Sequence, residues 1–335
     1  MTMCIGIVAM TMVGAACAAA PRNPTPPPAP GIFRPETVQA KIANCSMYPP
    51  DHYMNATNID LLPVHPRSQE WLEYMGGAAA PAKFPSSQIW QAARGGMPIN
   101  VVDSRQLGFV QVFINNTVYA NPYMGPYPLP ARPMVQGHPS AQWDRKVIVL
   151  DSAECVGYEI LQYDPLITEL TGRHNGIGGA RYGLNSSNRP GTWTTASRLP
   201  VLGQHVLLAE AQAGEVDHVI GFCSNRIGPG YTWPASASDG VDAAAMPMGT
   251  WIRLRSDVDT SSFGPGAQAV AEALREHGAV LTDTCAHDFH LFGENSPDWN
   301  DADLQTVRNL TAADFDVIDV SAMRLNDNEN SLAIR

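Results

Sequence analysis

Positive charge is scarce in this chain. Its 335 residues hold 21 Lys and Arg against 32 Asp and Glu, a formal net charge of −11, and no stretch gathers the basic residues together. Nucleic-acid and anionic-membrane surfaces need such a gathering, so neither partner is expected. Charged residues make up only 16% and apolar residues 44%, which excludes a disordered chain and supplies a core. Beyond the first twenty residues, no apolar run reaches the roughly 20 residues that a membrane-spanning helix needs. Several catalytic signatures are also missing: no G-x-S-x-G elbow, no H-E-x-x-H, no P-loop and no G-x-G-x-x-G ahead of a helix. Common serine esterases, zincin proteases, NTPases and dinucleotide enzymes drop out, and no cofactor is expected. There is no C-x-x-C, which argues against a zinc ribbon or a thioredoxin-like redox pair.

What is present points outward. Met1–Ala20 is apolar and rich in small residues, and it ends in Ala18-Ala19-Ala20, a pattern that a signal peptidase accepts. Cys17 after Gly14-Ala15-Ala16 offers a lipoprotein tether as an alternative. Pro21–Ala40 opens P-R-N-P-T-P-P-P-A-P, a polyproline II spacer. Residues 41–335 are then expected to form one β-rich extracellular domain, secreted and monomeric. Four cysteines remain in it: Cys45, Cys155, Cys223 and Cys285. In an exported chain an even, dispersed set reads as two disulfides. Three connectivities are open, with Cys155–Cys223 and Cys45–Cys285 favoured.

The chain holds 28 Gly and 28 Pro, which favours turns over long helices. β-branched and aromatic runs predict strands at Ile99–Asp103, Gly108–Ile114, Lys146–Leu150, Val156–Tyr163, Glu215–Phe222, Thr250–Arg255, Ala279–Asp283 and Phe315–Val320. Helices are predicted at Leu202–Ala213, closed by Gly214, at Pro265–His277 and at Asp301–Arg308 behind Asn300. In the second, Ala267, Val270, Ala271 and Leu274 form an i, i+3, i+4, i+7 stripe. Strands outnumber helices without alternating with them. The expected fold is therefore mainly β, an antiparallel β sandwich or barrel with a few packed helices, with α+β as the alternative.

Several phrases occur in a fixed order: L-P-V-H-P-R-S (Leu62–Ser68), D-R-K-V-I-V-L-D (Asp144–Asp151), N-S-S-N-R-P-G-T-W-T (Asn185–Thr194), A-G-E-V-D-H (Ala213–His218) and M-P-M-G (Met246–Gly249). Together they resemble an uncharacterised family of secreted bacterial proteins, often one module of a larger extracellular chain. The resemblance covers the chain after about Asn58. It implies secretion and a single module, and it carries no activity. The chain departs from the family pattern at Lys146, at Ser236-Ala237 and at Thr284-Cys285. The first two of these departures replace family histidines, which would alter any site that used them.

Candidate chemistry centres on Gly214–Phe222. As a regular strand it would place Val216, His218, Ile220 and Phe222 on one face and Glu215 and Asp217 on the other. His218 would then be either a satisfied core histidine or a general base or acid lining a cleft, with Glu215 near its mouth. Asp283, from a neighbouring strand, could complete a carboxylate pair of the kind glycoside hydrolysis needs. A polysaccharide lyase would instead use His218 with Tyr158 and Arg253. Trp193 and Trp233, in Gly/Pro/Ser/Asn-rich loops, could stack on sugar rings. Asp283–His290 reads D-T-C-A-H-D-F-H, and its histidines resemble metal ligands. The disulfide role of Cys285 argues against that, and no metal is expected. Asp298, Asp301 and Asp303 are read as helix-start acids rather than calcium ligands. The favoured function is an exported carbohydrate-active enzyme, a glycoside hydrolase or polysaccharide lyase. The alternative is a non-catalytic module that binds a polysaccharide or cell-wall glycan.

Overall fold

Alternation of buried side chains on extended backbone builds the centre of the molecule. A computed structural model describes residues 40–115, 121–140 and 143–335. The proposed signal segment with Cys17, and nearly all of the Pro-rich spacer, lie outside the described residues. The fold is mainly β, with several sheets and a few helices. One sheet has four strands: β1 (Ile99–Val102), β2 (Val147–Asp151), β3 (Val156–Leu161) and β4 (Gly178–Gly183), in the order β4-β3-β2-β1. The other has five: β5 (Ile220–Ser224), β6 (Trp251–Leu254), β7 (Ala279–Thr284), β8 (His290–Leu291) and β9 (Phe315–Ile318), in the order β8-β5-β7-β6-β9. No closed barrel forms among the described residues. Most pairings are antiparallel, as expected, but β1 with β2 and β5 with β7 run parallel.

Residues alternate faces in both sheets, and both faces of the five-stranded sheet are buried. Val280, Trp251 and Ile318 point to a core that also holds Ile148 and Leu150 of β2 and Tyr182 of β4. This core joins the two sheets face to face, as in a sandwich. Phe222, Ile252, Leu281 and Val317 point the other way, onto α3 (Pro265–Glu276). The predicted stripe Ala267, Val270, Ala271 and Leu274 is the buried face of that helix. On the far side of the four-stranded sheet, Val147, Val149, Tyr158 and Ile160 pack with Tyr127 and Leu129. Burying one such aliphatic side chain contributes about 1.5–3 kcal/mol, so the two-sided strands carry much of the stability.

Three further helices matter below: α1 (Ser68–Met75), α2 (Leu208–Ala213) and α4 (Asp301–Leu304). The predicted helix from Leu202 starts only at Leu208. Val206 instead donates its N–H to the Phe292 carbonyl (3.1 Å), and the Glu210 carboxylate closes the helix start by accepting from the Leu207 N–H (2.8 Å). Asp301–Arg308 forms one α turn and then a tighter 3-10 turn over Gln305–Asn309. The Asn300 side chain makes no capping bond. Gly108–Ile114 is extended only over Val112–Ile114, paired in parallel with His174–Gly176.

The disulfide pairing differs from the favoured one. Cys45 bonds Cys155, with Cα atoms 5.4 Å apart, and Cys223 bonds Cys285, with Cα atoms 5.6 Å apart. The cause is strand adjacency. Cys223 lies on β5 and Cys285 directly follows its neighbour β7, where the Cys285 N–H donates to the Ser224 carbonyl (3.1 Å). Cys155 sits in the β2–β3 turn, beside the N-terminal residues around Cys45. Two disulfides fit an oxidising compartment, and no helix among the described residues is long and apolar enough to cross a membrane.

Candidate functional site

The predicted strand over Glu215–Phe222 begins only at Ile220, so the alternation argument for His218 does not apply. Residues 215–219 are irregular, and the Val219 N–H bonds the Met54 carbonyl (2.9 Å) rather than a neighbouring strand. His218 is 2% exposed and lines neither of the hollows described below. Its Nδ1 donates to the Val219 carbonyl (2.9 Å), and its Nε2 lies 3.3 Å from Glu210 Oε2. Burial, the largest influence, opposes its charge, but the Glu210 carboxylate, the Val219 carbonyl and Asp217 together outweigh it and raise the pKa above the usual histidine value. The side chain is a hydrogen-bonded internal histidine. Glu215 is exposed and does not touch it.

Asp283 lies elsewhere, in a buried ion pair with Lys146. It also accepts from the Ala196 N–H (3.0 Å) and the Thr284 N–H (3.1 Å). Burial opposes the charge of Lys146, but Asp283 and Asp144 hold the ammonium well above its ordinary range. No contact joins His218, Glu215 and Asp283, so the structure does not assemble them as one site.

The four binding candidates are dispersed as well. Trp233 is core: it is 7% exposed, donates from Nε1 to the Ser331 carbonyl (3.0 Å) and stacks near Trp251. Loop composition predicts backbone shape but not burial, which explains the misplacement. Tyr158 is buried among Tyr123 and Tyr127. Arg253 is committed to the Ile59 carbonyl (2.8 Å) and Asp316 (3.4 Å). Trp193 is half-buried with the Arg198 guanidinium 4.2 Å over its ring.

A concave site does exist, and it is built around the second half of D-T-C-A-H-D-F-H. Two hollows of about 280 and 570 Å³ share Pro85, Trp90, Trp143, His287 and His290 as lining. These volumes suit a small ligand, for which pockets of roughly 300–1,000 Å³ are usual. The Cys223–Cys285 bridge lines the smaller hollow, and Lys83 and Arg308 line the larger.

Local sequence explains each wall. His290 opens β8, opposite Cys223 on β5. Lys83 extends that sheet edge, donating its N–H to the Phe289 carbonyl (3.0 Å) while its own carbonyl accepts from the Leu291 N–H (2.9 Å). Trp90 rides on a two-residue ribbon, Ile89–Trp90 against Ala93–Arg94. Gln91 and Ala92 turn the ribbon with φ of 50° and 64°, the geometry of a type I′ turn. The loop before it is tied down by Asp301, which accepts from Ser86 Oγ (3.0 Å), the Ser87 N–H (2.9 Å) and Ser87 Oγ (2.6 Å). Trp90 itself stays 63% exposed. Trp143 lies across Gly137, which has φ of 66°. A Cβ there would sit 2.2 Å from the indole Cγ, so the glycine makes room for the ring.

The two histidine rings lie 5.0 Å apart and edge to face. Lys83 Nζ is 3.1 Å from His287 Nδ1. An ammonium can only donate, so Nδ1 accepts and the His287 proton sits on Nε2. Burial first, then Lys83, lowers the His287 pKa. Burial, then His287, Lys83 and Arg308, pushes His290 well below the usual value. Both rings are therefore neutral at ordinary pH.

No family model, curated protein or solved structure matches the chain. The site has to be read from its own chemistry. It offers two indole faces, two neutral imidazoles, two cations, the carboxylates of Asp144 and Asp301, and the side chains of Gln88, Gln136 and Gln305 along two adjoining hollows. In the sequence the two histidines stand out as residues of metal-ligand type, whereas Trp90 does not stand out. Trp143, Lys83 and Arg308 carried no local signal. Asp303 lies in the first turn of its own helix, as expected of a helix-start acid, and also caps α3 by accepting from the Gly266 and Ala267 N–H groups (2.8 and 3.0 Å).

Proposed function

We propose that the protein is an exported glycan-binding protein and that the groove lined by Trp90 and Trp143 is its site. The observation that carries this reading is the pairing of two accessible indoles with hydrogen-bonding side chains on one concave surface. Sugar rings present apolar C–H faces, which stack on indole, and hydroxyl edges, which need donors and acceptors. Export is supported by the two disulfides and by the apolar, small-residue segment at Met1–Ala20. Binding is favoured over hydrolysis because the anticipated carboxylates do not meet: Asp283 is paired with Lys146 in the interior, and Glu215 is exposed without contact to it.

The test is calorimetric titration of the purified chain against a panel of oligosaccharides, with Trp90→Ala alongside. Saturable binding that weakens at least about tenfold in the variant is expected, from the loss of an aromatic contact. An unchanged melting temperature should accompany it, because Trp90 is exposed. Binding that is unaffected by Trp90→Ala would refute the placement of the site. A second reading, a lyase, is favoured by His290, a neutral imidazole on the groove wall. Release of an unsaturated, ultraviolet-absorbing product during the same titrations would establish it.

A further inference from the structure

We propose that the groove's ligand is a short acidic saccharide whose carboxylate or sulfate is held by Lys83 and Arg308. The inference rests on the glycan reading of the groove. Its basis is the placement of two cations on the groove wall. Elsewhere in the chain, Arg67, Arg105, Arg226, Arg253 and Arg275 each reach a carboxylate within the ion-pair limit; Lys83 and Arg308 belong to the cations that do not. Among the described residues neither makes an ion pair, the Arg308 side chain makes no hydrogen bond, and the only side-chain partner of Lys83 is the neutral ring of His287. Both line the same hollow as Trp90 and Trp143.

Asp301 lines this hollow too and its charge offsets theirs in part, but its oxygens accept from Ser86, Ser87 and Gln88 rather than from either cation. Both cations oppose the protonation of His287 and His290. Their donor groups stand beside two uncharged rings and have no carboxylate bonded to them, so they are placed to meet an anion that enters the groove. Their attraction reaches only about 8–10 Å through physiological salt. A long polyanion would meet the rest of the acidic surface, whereas a short acidic oligosaccharide or a chain end would meet the groove alone. Arg308 suits an anion for a further reason: its planar fork can pair both oxygens of a carboxylate or sulfate, while Lys83 supplies a point charge from the side. The indoles would stack on the rings that flank the acidic group.

The experiment titrates the full chain with trigalacturonate, with its methyl ester and with a sulfated disaccharide, each at low and high salt. The acid should bind at least about tenfold more tightly than its ester, the usual strength of a charge-assisted contact. Lys83→Gln and Arg308→Gln should each remove most of that preference, with melting temperatures unchanged. Arg308→Lys should restore part of it. Tighter binding of the sulfated sugar would keep the proposal and assign sulfate as the anion. Equal affinity for acid and ester would overturn the proposal while leaving the glycan reading intact. Acid binding that both Gln variants retain would overturn it as well. No binding of any saccharide, acidic or neutral, would sink both readings. A single-stranded oligonucleotide that outcompetes the uronate would replace the sugar with a nucleic acid.

Discussion

Two buried histidines make acid the natural denaturant of this fold. His52 and His205 are 0% and 1% exposed. His52 stacks on Tyr48 at 4.2 Å and accepts from the Met54 N–H at 3.3 Å, but its Nε2 has no hydrogen-bond partner among the described residues. Neither ring nitrogen of His205 has one among them. Burial, with Arg189 in the first case and with His218 and Lys146 in the second, lowers both pKa values to about 3. In the unfolded chain each would titrate near 6.5. The unfolded state therefore binds more protons than the native state between those values, and stability falls as pH falls. The stabilisation is fully present above about pH 6.5 and is lost progressively towards pH 3. Each histidine costs about 1.4 kcal/mol per pH unit once well below 6.5, or about 2 kcal/mol between pH 7 and pH 5. The pair costs about 4 kcal/mol over that window by the same linkage. His218 runs the other way: its raised pKa adds stability at low pH that disappears as pH rises through it. The perturbation is His205→Leu, which keeps the volume and removes both unpaired nitrogens. Urea melts at pH 7, 6 and 5 should show a slope with pH reduced by about one proton, and stability at pH 7 equal to or above wild type. A variant with the wild-type slope would refute the claim that His205 is neutral when folded.

Other substitutions separate core from groove. Lys146→Met strands a buried carboxylate at Asp283 and should cost roughly 3–5 kcal/mol, whereas Lys146→Met with Asp283→Leu should recover most of it; chemical denaturation of the three proteins measures the coupling. Cys45→Ser opens a loop of 110 residues, worth up to about 5 kcal/mol in chain entropy, and should lower the melting temperature of the oxidised protein to that of a partly reduced one. Trp233→Ala should cost roughly 3–5 kcal/mol as a core truncation and leave ligand affinity nearly unchanged once the protein is folded at low temperature. Trp90→Ala should show the reverse in the same pair of assays.

The parts of the fold written in short-range pattern could be read from the sequence. The α3 stripe needed only the 3.6-residue period, and the β2–β3 hairpin needed only two β-rich runs with a turn between them. Glu215–Phe222 shows where pattern misleads. Its alternation looked like a strand, yet Val219 finds its hydrogen bond at Met54, more than a hundred and fifty residues away in sequence, and His218 satisfies itself locally. The groove was the least legible element because it draws on four distant stretches. Lys83 enters by adding to the edge of β8, Trp90 by a loop anchored on Asp301, Trp143 by a glycine that makes room for it, and Arg308 by the 3-10 turn after α4. None of these residues signals the others. Only His287 and His290 stood close enough together in sequence to attract notice, as residues of metal-ligand type.

The Cys223–Cys285 bridge is both a staple between adjacent strands and part of the smaller hollow's lining. The shape offered to a ligand is thus bound to the thiol state of the protein. Material produced in a reducing cytoplasm would carry two separate thiols where the oxidised protein has a covalent wall. A ligand screen run on such material would interrogate a different groove. Titration of free thiols therefore belongs before any binding measurement, as a test of whether the site itself has been made.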